Sequence, residues 1–280
     1  MNFPTVKAPD KLLFGTAGIP LSTEKPNTLS GIHQVKKLGL DAMELEFVQS
    51  VHLNEESAKK VYDANKDIVL TCHGQYFINL NAKEPQKIGA SRSRILKAAN
   101  ISRLAGAWSM TFHAAYYLGM EHEPVYKNVK DQMKKIVDEL KSSGNSIWIR
   151  PETTGKQTQF GSLKEILGLS QELDQVMPCV DFAHLHARTG GKENSTAEFR
   201  ATLELIEKGL GRKGLENMHI HMSGIAYSEK GERNHLTLKE SDFKYEELIK
   251  VWKEFKIKGV VISESPNIEE DAKMMQRLYS

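Results

Sequence analysis

The chain has 280 residues and a formal charge of +2, from 38 basic and 36 acidic side chains. That balance excludes a protein-wide basic footprint for nucleic acid and leaves only a local patch as an option. Hydrophobic residues at 40% and charged residues at 26% suit a soluble globular enzyme.

No apolar run has the length needed to cross a bilayer. The opening MNFPTVKAPDK has no apolar core before a small-residue cleavage site, so a cytoplasmic protein with no membrane partner is expected. Cys72 and Cys179 both sit in apolar runs, where buried free thiols are expected rather than a disulfide.

Short apolar runs alternate along the chain with longer amphipathic segments. The runs are Leu12–Gly15, Ala42–Phe47, Ile68–His73, Ser109–His113, Ser146–Glu152, Met177–Asp181, His219–Met222 and Gly259–Glu264. Each fits a strand buried on both faces. Helical spacing falls over Leu29–Leu38, Asn54–Ala64, Ser91–Leu104, Tyr126–Leu140, Ser162–Leu173, Ala197–Lys208, Tyr245–Phe255 and Ile268–Leu278. Gly39 is a natural stop for the first helix and Asn54 a natural N-cap for the second.

Eight strand–helix units without a composition break predict one domain over residues 1–280, a (β/α)8 TIM barrel with its active site at the carboxyl ends of the strands. An open doubly wound sheet is the weaker alternative, because no Gly-rich phosphate loop follows the first strand.

The residues at those strand ends carry chemistry. Strand three ends in His73, strand four in His113 and strand five in Glu152. Strand six ends in Asp181 with His184 three residues on, strand seven carries His221, and strand eight ends in Glu264. Any one alone reads as a hydrogen-bonded core residue or a solvated loop residue. Six successive strands ending in His, Asp or Glu are more economically explained by a bound cation, because so many buried ionisable groups are costly without one. Mixed imidazole and carboxylate donors favour Zn²⁺ or Mn²⁺, and a shared Glu152 allows two ions.

His33, His52 and His122 are expected on helix surface or in loops, His122 in a polar one. His219 is expected to point away from His221 on its strand. The role of His186 stays open.

These residues resemble the endonuclease IV family of apurinic/apyrimidinic endonucleases, within the xylose-isomerase-like barrels. The likeness runs from His73 to Glu264 and rests on HGQYFINL from His73, TFHAAYYLG around His113, and Glu152-Thr-Thr-Gly. Asp181-Phe-Ala-His184, HIHMSG around His221, and VISESP around Glu264 complete it. The resemblance implies a trinuclear zinc centre. His73, His113 and Glu152 would hold the first ion, and Glu152, Asp181, His221 and Glu264 the second. His184 and a later Asp-x-His pair would hold the third. Here His235 is present, but Arg233 stands where the Asp belongs. Glu232 is the neighbouring substitute; failing that, the third site is weak, empty or differently occupied, and Arg233 faces a phosphate.

The resemblance further implies cleavage of DNA 5′ to abasic sites by a monomer, with Glu152 or Glu264 orienting a water. Tyr76, Gln49 and Arg233 are the implied DNA contacts. The Val48–His52 loop lacks the family's Arg, while Lys156, Arg188, Lys192 and Lys230 are candidates for phosphate contacts. One alternative is a sugar isomerase or epimerase using Glu152, Asp181, His221 and Glu264 around a single divalent ion. Another is a DNA-binding protein without catalysis.

Overall fold

The eight apolar runs form one ring of parallel strands in the computed structural model, which describes residues 3–280. They are β1 (Leu12–Ala17), β2 (Ala42–Glu46), β3 (Val69–His73), β4 (Ala107–Phe112), β5 (Trp148–Pro151), β6 (Cys179–Asp181), β7 (Met218–Met222) and β8 (Gly259–Ser263). The sheet order is β5-β4-β3-β2-β1-β8-β7-β6. Parallel bridges from Ile149 to Val176 and from Glu152 to Cys179 close the ring between β5 and β6. With helices packed outside, this is a (β/α)8 barrel. The first two residues of the opening stretch considered for a leader lie outside the described residues.

Alternation along each strand separates two interiors. Outward residues such as Phe14, Met43, Leu45, Leu70 and Ile220 join the main core. Inward residues Leu13, Ala42, Val260 and Ile262 cluster with Trp108 inside the ring. Further along the strands the inward positions turn polar: Glu44, Thr71, Ser109, Arg150 and His219 are all buried. Among the described residues, no carboxylate pairs with Arg150. Its guanidinium stacks 4.5 Å from the Trp108 ring and donates to Pro178 O at 2.9 Å and to Asn217 Oδ1 at 2.6 Å. Burial pulls its pKa down to about 9.

Helix boundaries follow local chemistry. Asn27, Asn54 and Ser162 each close a capping box, satisfying backbone donors that the first turn leaves free. Helix Pro85–Leu104 begins earlier than its apolar spacing predicts, with Pro at its first position, where a missing N–H costs nothing. His122 is not in a loop. It opens helix His122–Ser142 and lies 3.4 Å from Glu165.

Three unforeseen elements rise from the strand ends: the hairpin Gly224–Ser228 with Gly231–Leu236, the pairing of Ala115–Tyr116 with Gln159–Phe160, and helix Phe182–Arg188. Among the described residues, no helix is long and apolar enough to cross a membrane.

Candidate metal centre

The barrel brings the strand-end side chains together around Glu152. Its Oε1 lies 3.3 Å from His113 Nε2, 3.2 Å from His184 Nδ1 and 3.5 Å from His221 Nδ1, and its Oε2 lies 3.4 Å from His73 Nε2. Glu264 Oε1 is 3.4 Å from His221 Nδ1. Asp181 caps helix Phe182–Arg188, accepting from the His184 N–H at 2.6 Å, and this turn aims both side chains inward. Three imidazoles are oriented by backbone carbonyls. His73 Nδ1 sits 2.7 Å from Gly74 O, His184 Nδ1 3.0 Å from Thr153 O, and His235 Nδ1 3.2 Å from Glu264 O. If each Nδ1 carries the proton, each Nε2 is left as a lone-pair donor facing the centre.

The hairpin supplies the last members through a β-bulge. Ala226 pairs with Asn234 and Tyr227 with Glu232, so Arg233 is the extra, unpaired residue. Without the bulge, positions 233 and 235 would share a face. With it, Glu232 and His235 line the cavity while Arg233 is exposed. Glu232 Oε2 lies 3.5 Å from His184 Nε2, and His235 Nε2 lies at the same distance from that nitrogen. Gly155 makes this approach possible, since a Cβ there would meet Glu232 Oε2 at 2.7 Å.

The donor set fits divalent cations. Three groups, His73–His113–Glu152, Glu152–Asp181–His221–Glu264 and Asp181–His184–His235, each bring their ligand atoms within 4.8 Å of one another. The separations of 3.3–3.5 Å from the Glu152 and Glu264 oxygens to the inward nitrogens of His73, His113 and His221 exceed those of charge-assisted hydrogen bonds. They match the roughly 3.3–3.4 Å between tetrahedral ligands bonded at about 2.0–2.1 Å. Glu152 Oε1, Asp181 Oδ2 and His221 Nδ1 are buried without a hydrogen-bond partner, which is costly unless a cation meets them.

Charge within the centre is strongly coupled. Burial opposes ionisation of Glu152, but His221 and His113 hold its pKa well below the usual carboxylate range. Glu264, against the same burial, is drawn down to about 2 by His221 and His235. Burial and the neighbouring Glu264 and Glu152 carboxylates raise Asp181 to about 6, though His184 works against them. His73, despite burial, is raised to about 10 by Glu152, Glu46 and Glu44. An incoming cation therefore displaces protons from the imidazoles.

A cavity of about 250 Å³ opens onto this ring, lined also by Tyr76, Tyr116, Lys156 and Gln159. Tyr76 is 53% exposed, its ring 5.6 Å from that of His73. Gln49 is exposed at the tip of the β2 loop, its carbonyl accepting from Gln75 Nε2. Lys192 and Lys230 are exposed, and Lys156 is half-buried at the cavity wall. Arg188 does not reach out to phosphates. Its guanidinium is spent on Thr154 O at 3.3 Å and Gln159 O at 3.0 Å, pinning the loop after β5. His186 is buried away from the centre, 3.1 Å from Asp242.

Sequence reasoning misplaced His219 and passed over two carboxylates. Residues two apart on a strand share a face, so His219 points inward with His221, and both contact Glu44. Burial and the neighbouring His221 lower the His219 pKa to about 4. Glu46, one step above Glu44 on the same inward face, registers beside His73, and burial with the Glu44 charge pushes its carboxyl up to about 8. The alternation Ala42, Glu44, Glu46 was the available signal.

Fold and site together define a TIM barrel with clusters of potential metal ligands at its carboxyl-terminal mouth. The chain belongs to the xylose isomerase-like TIM barrel family, whose model matches residues 32–278. An uncharacterized protein of Methanocaldococcus jannaschii is 42% identical over 269 residues, covering 96% of this chain and 97% of that protein. A probable endonuclease 4 of Chlorobium phaeovibrioides is 24% identical over 155 residues, covering 53% of this chain and 54% of that protein. Two solved structures share the fold with TM-scores of 0.68 at 17% identity, each match covering 94% of this chain. They are endonuclease IV of Thermus thermophilus, covered to 97%, and a D-tagatose 3-epimerase-like protein, covered to 95%.

Proposed function

We propose that the chain is a divalent-metal phosphodiesterase of the endonuclease IV kind, hydrolysing DNA 5′ to abasic sites. The observation that carries this reading is the sharing of Glu152 between two ligand groups, His73–His113–Glu152 and Glu152–Asp181–His221–Glu264. A carboxylate so placed suits a bridge between two ions about 3.5–4 Å apart, the spacing used in in-line phosphoryl displacement. Imidazole and carboxylate donors suit Zn²⁺, with Mn²⁺ as a substitute. A third ion fits His184, His235 and Asp181, with Glu232 taking the part of the missing Asp. The similarity to a probable endonuclease 4 supports the same class.

Bound ions would supply a nucleophilic water at neutral pH and positive charge for the phosphate oxygens. The remaining chemistry belongs to the chain. Glu264, whose carboxylate borders the cavity, orients the attacking water, and Glu152 fixes the geometry beneath it. Lys156 places a cation at the cavity wall for a flanking phosphate. Tyr76 offers an exposed ring for stacking beside an extruded abasic nucleotide, with Gln49 exposed on the β2 loop and Arg233 on the hairpin bulge.

A second reading is a sugar epimerase holding one ion on Glu152, Asp181, His221 and Glu264. The favouring observations are the cavity of about 250 Å³, which suits one sugar unit, and the inward-turned Arg188. The structural likeness to a D-tagatose 3-epimerase-like protein agrees with it. A duplex carrying one tetrahydrofuran abasic analogue separates the two. Incision on its 5′ side with Zn²⁺ or Mn²⁺ supports the nuclease. No incision across a range of salt concentrations, with turnover of a ketohexose instead, rejects it.

A further inference from the structure

Three imidazoles of the centre are turned by backbone carbonyls so that Nε2 faces inward, but His221 is held the other way round. Its Nδ1 faces Glu152 and Glu264, while its Nε2 lies 2.8 Å from Glu44 Oε1. The second oxygen of Glu44 lies 3.1 Å from His219 Nε2, and His219 Nδ1 lies 3.0 Å from Ser109 Oγ. Glu44, His219, His221 and Ser109 are all buried in the polar layer beneath the cavity.

We propose that Glu44 is a positioning residue that fixes the tautomer of His221, so that His221 meets the metal through Nδ1. The inference rests on the metal-centre reading above and adds a residue that contacts neither substrate nor the ligand cavity. One proton arrangement is consistent with the whole chain of contacts. Ser109 donates its hydroxyl proton to His219 Nδ1, His219 donates from Nε2 to one Glu44 oxygen, and His221 donates from Nε2 to the other. Neither imidazole–carboxylate contact is aligned as a straight hydrogen bond. Even so, both Glu44 oxygens meet imidazole nitrogens within 3.1 Å, and a carboxylate can only accept. Proton placement on both rings follows from that. A carboxylate behind a ligating imidazole also raises its basicity and fixes its ring, and losing such a partner typically weakens metal binding by about 10- to 100-fold.

The competing arrangement uses the same residues differently. Cys179, His219 and His221 also bring ligand atoms within 4.8 Å of one another, a grouping that would draw His221 into a thiolate site instead. The proposed arrangement is marked by a metal on Nδ1 with no thiolate ligand, and the competing one by a Cys179 thiolate on the metal.

The test is long-range ¹H–¹⁵N spectroscopy of the unsubstituted, zinc-loaded protein, with zinc affinity measured by chelator competition. The expected result is His221 metallated at Nδ1 and protonated at Nε2. Cobalt-loaded protein should lack a thiolate charge-transfer band. Glu44→Gln, which can accept from one imidazole only, should bind zinc about 10- to 100-fold more weakly. Thr71→Val removes an unpaired hydroxyl from the same layer and should leave affinity unchanged. Metal on His221 Nε2, a thiolate–cobalt band, or unchanged affinity in Glu44→Gln would each overturn the proposal. The spectrum decides it even if Glu44→Gln fails to fold. Unsubstituted protein that binds no zinc would instead remove the metal-centre reading itself, and this inference with it.

Discussion

Adding one methyl group at Gly155 should disturb the hairpin side of the centre and spare the rest. A Cβ there would stand 2.6 Å from Glu232 Cβ, 2.7 Å from Glu232 Oε2 and 3.1 Å from His184 Cδ2. Ordinary contact begins at 3.4 Å, so the backbone carrying Glu232 must retreat by about 0.8 Å. It has little slack, because the Glu232 N–H donates to Gly155 O at 3.0 Å and the two loops touch again at Gly231. Overpacking of this kind costs about 1–3 kcal/mol. Urea unfolding of metal-free Gly155→Ala should show that loss. Metal analysis after zinc loading and desalting should show one ion fewer per chain, because Glu232 is withdrawn from His184. An unchanged midpoint together with unchanged zinc content would refute the packing argument and the role given to Glu232.

His113→Ala should abolish incision of abasic duplex and remove one ion, while leaving the fold intact, since His113 sits at the cavity edge; circular dichroism and metal analysis check both. Glu152→Gln leaves His73, His113, His184 and His221 around a neutral amide, so the metal-free protein should lose about 3–5 kcal/mol at neutral pH, the range for breaking a buried ion pair. Denaturant titration reads that directly. For pH, His73 is raised from 6.5 to about 10 in the folded, metal-free chain. Its contribution to stability is therefore complete below pH 6.5 and fades as pH climbs through about 10. Glu264, lowered to about 2, contributes fully above pH 4.5 and loses that contribution as pH falls through about 2. Metal-free protein that gains stability between pH 7 and 9 would contradict the His73 assignment.

The barrel was legible because its eight strands are buried on both faces and read as continuous apolar runs. The positions of His73, His113, Glu152, Asp181, His221 and Glu264 were legible because each sits in or just past the end of a strand, where period and position coincide. What escaped notice depended on parity and on irregularity. Glu44 and Glu46 lie inside the run Ala42–Phe47, and only the alternation of faces shows that they point inward with Ala42. The same rule of two, misapplied, turned His219 outward. The pairing of Glu232 with His235 depends on a bulge at Arg233, and spacing alone favours positions 233 and 235. Arg188 looks like a loop cation in sequence, but helix Phe182–Arg188 carries its guanidinium back under the loop after β5.

The central claim is that the barrel mouth is a multinuclear metal centre organised on Glu152. An anomalous-scattering map of zinc-loaded crystals tests it most directly. The account predicts at least two ions per chain, one against His73 and His113 and one against Asp181, His221 and Glu264, with Glu152 between them. A single ion on Glu152, Asp181, His221 and Glu264, with His73 and His113 unligated, would contradict it.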